Sequence, residues 1–169
     1  MRQELGFLAD ALIDQDAVRI ARAFRAAVPR LHWAWAAAVA PVVPGTPWDG
    51  PAAPFAELLA VADALVRYAE GDRTLPVTDV LSRLCAYDPP IGVLAELGVM
   101  CFGAMEGDED VRRLGHESFV QRAAAAAVDE RRVWVRRYWR DLALWSVELF
   151  PAAEPAGRTE GEAEVVLSV

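Results

Sequence analysis

"IGVLAELGVMCFGAM", residues 91–105, decides the fold. A surface helix shows one apolar stripe, whereas this segment is apolar nearly all round, as suits a helix enclosed by others. Pro89 and Pro90 precede it, and proline is tolerated in a first helical turn. "EGDED", 106–110, breaks it. A buried apolar helix over 90–105 is therefore the centre of the expected fold. Its one charge is Glu96. An unpaired buried carboxylate is very unfavourable, so Glu96 must meet an arginine, face a pocket, or lie at the helix rim.

Toward the C-terminus, Asp108 can cap a helix beginning at "VRRLGHESF". The pattern runs to Phe150 and is closed by Pro151, so 108–150 is one long helix or a pair, with Gly115 a weak point. Toward the N-terminus, "VTDVLSRLCAY" (77–87) and "FAELLAVADALVRYAE" (55–70) read as amphipathic helices, the latter closed by Gly71. "PVVPGTPWDGPAAP", 41–54, holds five prolines and two glycines and reads as a loop. Before it stand "RLHWAWAAAVA" (30–40), "AVRIARAFRAAV" (17–28, capped by Asp16 and ended by Pro29) and a first helix with Leu5, Leu8 and Leu12 on one face.

No strand pattern precedes the tail. The expected class is all-α: a single compact bundle of about seven helices over 1–150, then an acidic tail, 151–169, ending in the β-prone "VVLSV". "ELGFLADAL" (4–12) and "ELLAVADAL" (57–65) echo each other, which in an alanine-rich chain reads as coincidence rather than a repeat.

With 54% hydrophobic residues in 169, the chain can build a real core. Net charge is -8, which argues against a general nucleic-acid or anionic-membrane binder. The acids in "MRQELGFLADALIDQD" interrupt any signal-peptide core, and no uncharged apolar run reaches the roughly 18 residues of a membrane span. A soluble cytoplasmic protein with Cys85 and Cys101 reduced is expected.

Chemistry is sparse. His32 and His116 lack the Glu-x-x-His context of di-iron helices, and there is no HExxH or paired-cysteine spacing, so no metal or other cofactor is expected. No GxSxG or Walker loop is present. Arg25 and His32, with six residues between them, have the separation of a metal-independent RNase pair, but Pro29 lies between; Arg112 and His116 are one turn apart.

"RRVWVRRYWRDLALW", 131–145, concentrates five arginines and four aromatics. On a helical wheel Trp134, Tyr138, Leu142, Trp145 and Leu149 form one arc, extended by Val135 and Trp139. Arg132, Arg136 and Arg140 run beside it, with Arg137 on the opposite flank. The expected reading is a core helix with a charged shoulder, and Arg132, Arg136, Arg137, Arg140 and Trp139 are the candidate interaction surface. The functional expectation is a non-catalytic helical adaptor, accessory subunit or assembly factor with a protein partner; homo-oligomerisation is compatible with it, and nucleic acid or membrane as partner is not favoured. The alternative is a helical enzyme or small-ligand binder with a pocket near Glu96, His32 and Trp35.

Overall fold

The computed structural model describes residues 2–39 and 52–151, and among these the chain is all-α. Seven helices follow in order: α1 (Arg2–Asp14), α2 (Ala17–Val39), α3 (Ala52–Ala69), α4 (Val77–Leu84), α5 (Ile91–Glu106), α6 (Glu109–Asp129) and α7 (Val133–Leu149). Most of the expected 41–54 loop and of the 151–169 tail lies outside the described residues; of the loop, Ala52–Pro54 form the first turn of α3.

α5 is the axis of the bundle. It packs against α2, α3, α4 and α6; α7 packs on α6 and α2, and α1 on α2. Ile91, Val93, Leu94, Leu97 and Met100 are all fully buried, as their uninterrupted hydrophobicity requires. Small residues bring α5 and α6 into near backbone contact. A Cβ on Gly103 would stand 2.2 Å from the backbone nitrogen of Arg112, and one on Gly115 would stand 2.4 Å from that of Met100. On α6 the buried residues Gly115, Phe119, Ala123 and Ala127 repeat every four, a narrow ridge suited to this seam.

Local signals account for several helix ends. The Asp16 and Asp108 carboxylates accept from the backbone N–H groups of Arg19 and Val111, each at 3.1 Å, so both expected N-caps form. α5 ends at Gly107 in the left-handed conformation, φ 66°.

Two expected boundaries are corrected. Pro29 does not end a helix: α2 continues through it, because Val28, Leu31 and His32 are all buried, and packing outweighs one missing hydrogen bond. Gly115 is not a weak point, since α6 passes through it. The break in 108–150 falls at Glu130–Arg132, where the flanking caps Glu130 and Arg132 are extended.

The echoed segments bury matching faces: Leu5, Leu8 and Leu12 in α1, and Leu58, Val61 and Leu65 in α3. Their successors differ, 23 residues in α2 against 8 in α4, so the echo is a shared amphipathic pattern and not a repeated hairpin.

Candidate functional site

The buried face of α7 consists of Val135, Tyr138, Trp139, Leu142, Ala143 and Ser146. This arc is turned by roughly 70° from the one that the large apolar side chains suggest, at 3.6 residues per turn. Its small members, Ala143 and Ser146, carry little hydrophobic weight in a sequence, though Ser146 meets His116 of α6 and Met100 of α5. Trp139 is therefore core, only 2% exposed, and is corrected out of the interaction surface. Trp134 is 61% exposed, and Trp145 is half-buried, edge-on to Phe119.

One shoulder of α7 is grooved. Trp134, Arg137, Tyr138 and Asp141 face Ala34, Ala37 and Ala38 of α2 across an open groove of about 410 Å³. A second, of about 340 Å³, continues along the same shoulder between Arg2 and Leu5 of α1 and Leu144, Trp145 and Glu148. Arg137 and Asp141 line both, and form an exposed ion pair at 3.9 Å. Trp33, 71% exposed, stands one turn before Ala37 on α2. The floor is fixed: the Tyr138 hydroxyl donates to the Leu31 carbonyl at 2.8 Å in the interior.

The arginine stripe is on the other shoulder. Arg132 is held by the carboxylate of Glu130, at 2.7 Å and 2.8 Å. Among the described residues Arg136 reaches only the carbonyl of Arg131, at 3.4 Å. Arg140 is exposed and has no ion pair among the described residues. Of the candidate arginines, only Arg137 shares its shoulder with Trp134.

Glu96 and His32 are not brought together. Glu96 lies 3.7 Å from Arg122 of α6, so the expected arginine partner is present. The Arg122 guanidinium also donates to the carbonyls of Cys85 and Tyr87, tying the end of α4 and the connection beyond it to the α5–α6 pair. Burial pushes the Glu96 carboxyl above its usual range, against the opposing pull of Arg122 and the Cys85 thiol. Burial, with the Glu96 charge beside it, pushes the Cys85 thiol up to about 12, so it stays protonated and unreactive. His32 is buried on the α2–α3 side, stacked on Phe55 at 3.8 Å with Trp35 tilted 6.1 Å away. Glu96 thus faces α4 and α6, while His32 and Trp35 stand on the α2–α3 side.

The Nδ1 of His116 is 2.8 Å from the Oγ of Ser146, joining α6 to α7. The pair resembles a catalytic dyad only in its atoms. Ser146 is fully buried and also contacts the Met100 sulfur, so no substrate reaches it. Burial, helped by Arg112, holds the His116 imidazole below its usual value. Arg25 pairs with Asp63 of α3 while His32 turns inward, so that candidate RNase pair is not assembled.

A different cavity lies where helix ends meet. Leu12 in α1 and Gln15 just after it, Gly103, Ala104 and Gly107 at the end of α5, Asp108, Glu109 and Arg112 at the start of α6, and Phe150 enclose about 300 Å³. Arg112 lies flat over Phe150, 3.9 Å from its centroid. A further hollow of about 240 Å³, between α3 and α4, is bridged by the Arg83–Glu57 ion pair at 2.8 Å. Among the described residues no three histidine, cysteine, aspartate or glutamate side chains gather as metal ligands, and no helix is long and apolar enough to cross a membrane.

Sequence reasoning passed over Trp33 and the helix-end cavity. A tryptophan set among alanines on the outer side of α2 was the available signal for the first. The second joins residues more than one hundred positions apart and has no local signature. Comparison with models of protein families, with curated proteins and with solved structures found no match for this chain.

Proposed function

We propose that this chain is a non-catalytic docking module whose groove between α2 and α7 seats an amphipathic helix of a partner protein. The observation that carries the reading is the exposure of two tryptophans, Trp33 at 71% and Trp134 at 61%, beside an apolar groove. Large aromatic side chains left in water at a concave apolar surface are costly unless something covers them, and tryptophan and arginine dominate interface energies. The alanine floor formed by Ala34, Ala37 and Ala38 lets a partner helix approach closely, with Trp134 as a wall. Arg137 and Asp141 at the rim offer one charge of each sign, which suits a protein better than a phosphate backbone. The module works in the cytoplasm on this reading, consistent with two cysteines that are free thiols.

The test compares variants on the two shoulders of α7. Trp134→Glu is expected to fold and to lose the native partner on co-purification, while the double variant Arg136→Glu, Arg140→Glu keeps it. Retention of the partner by Trp134→Glu contradicts the reading. A homodimer in sedimentation that Trp134→Glu dissociates would replace the foreign helix with a second copy of the chain.

A further inference from the structure

Elsewhere in the bundle arginines are matched to acids on neighbouring elements: Arg22 to Glu70, Arg25 to Asp63, Arg73 to Glu106 and Arg83 to Glu57. The arginine shoulder of α7 departs from that pattern. Arg136 and Arg140 are exposed and have no carboxylate partner among the described residues. The two acids of α7, Asp141 and Glu148, line the grooves of the other shoulder. α6, which packs on α7, has no acid between Glu117 and Asp129. In a chain of net charge -8, this basic face has been left without acids of its own.

The same face is apolar at both ends. At 100° per residue Val133, Arg136, Arg140, Leu144 and Val147 fall within about 80° of one another. All five are exposed, as is Val128 near the end of α6. An occupant of this face therefore needs carboxylates at its middle and an apolar segment beside them.

The sequence that follows α7 has that order. From Glu160 it reads "EGEAEVVLSV", three glutamates at alternate positions and then an apolar run. In an extended chain alternate residues share a side and recur about every 6.6 Å. Arg136 and Arg140, four residues apart on a helix, are separated by about 6 Å along its axis. The connection is long enough. Arg136 lies about 20 Å before Leu149 along the axis of α7. Glu160 is nine residues beyond Pro151, a span of up to about 30 Å.

We propose that residues 160–167 dock back along this shoulder of α7, with Glu160, Glu162 and Glu164 against Arg140 and Arg136, and Val165 to Leu167 against Val133 and Val128. Exposed ion pairs are weak one at a time. Groups carried on one chain nevertheless meet at an effective concentration of about millimolar. The contact occupies the shoulder opposite the α2–α7 groove and stands independently of the docking reading.

The test uses the full chain with a photoreactive residue at position 133, which leaves every arginine in place. Trypsin cuts after Arg158, so the docked segment is recovered as the peptide that begins at Thr159. A crosslink from 133 to that peptide is expected, and within one copy, so that a mixture of isotopically light and heavy chains gives no mixed product. Its yield is expected to fall about tenfold in 1 M salt, where the screening length is about 3 Å. The triple variant Glu160→Gln, Glu162→Gln, Glu164→Gln alters no residue of the bundle and is expected to lose the crosslink as fully. Arg136→Glu with Arg140→Glu is expected to lose it too, and adding Glu160→Arg, Glu162→Arg and Glu164→Arg to restore it. No crosslink to this peptide from 133 in the otherwise unaltered chain overturns the proposal. A crosslink that survives both 1 M salt and the triple glutamine variant overturns it as well, as does a product formed mainly between light and heavy copies.

Discussion

The hydroxyl of Tyr138 and the carbonyl of Leu31 meet at 2.8 Å in the interior, joining α7 to α2 beneath the groove that Trp134 flanks. Burial raises the phenol above its ordinary value, so it remains a donor at every physiological pH. Tyr138→Phe keeps the ring and removes the donor. It is expected to lower stability by about 1–2 kcal/mol, the usual effect of deleting a buried neutral hydrogen bond. Urea unfolding measures this, and an unchanged midpoint would show that the contact does not hold the two helices together.

The α5–α6 seam is the least tolerant part of the bundle. At Gly115 an added methyl would overlap the backbone of Met100, and backbone cannot step aside as a flexible side chain can. Gly115→Ala is expected to lower stability by about 3 kcal/mol or more, as overpacking against a rigid neighbour does. Gly6 is the control, because a Cβ there meets nothing within 4 Å. Gly6→Ala is expected to raise stability by about 0.5–1 kcal/mol through helix propensity alone. Thermal unfolding of the two variants checks both signs.

Glu96 and Arg122 are unequal partners. The fold disfavours the charged form of Glu96, so Glu96→Gln is expected to leave the melting temperature at neutral pH the same or higher. Arg122→Met removes the donor to two backbone carbonyls and strands the carboxylate. A loss of about 3–5 kcal/mol is expected, as for other broken buried pairs. Equal effects of the two variants would show that the ion pair, and not the carbonyl clamp, is what Arg122 provides.

Acid is expected to weaken the fold through its histidines. Burial lowers the folded values of both His32 and His116 below 6.5, so the unfolded chain takes up protons first as pH falls. Their stabilising share is present above that value and is lost as pH drops through the window beneath it. Glu96 acts in the opposite sense: its raised value makes the fold bind a proton more readily, which offsets part of the acid loss at lower pH. Urea midpoints should therefore fall between about pH 8 and about pH 5.5, and fall less in His116→Gln. A midpoint that rises over that interval contradicts the assignment.

Legibility in the sequence followed the size of the signal. The all-round apolar α5 and the two aspartate caps were readable because each is local and strong. Pro29 misleads because its breaking tendency is local while the packing of Val28, Leu31 and His32 is not. The turn of α7 is hidden for a related reason. Hydrophobic weight favours tryptophan, yet the buried face includes Ala143 and Ser146, with Trp134 in water and Trp139 inside. Glu96 was traceable to an arginine, but not to which one, since Arg122 is more than twenty residues away on another helix. The cavity around Arg112 and Phe150 depends on four helix ends converging, and no stretch of sequence carries that.

The docking reading is tested most directly by photo-crosslinking in the native host, with the photoreactive residue placed at position 134, at 37 or at 140. A single partner captured from 134 and 37 but not from 140 is the expected result, because the first two border the groove and the third lies on the opposite shoulder. Capture from 140 with none from 134 or 37 would contradict the groove between α2 and α7 as the docking surface.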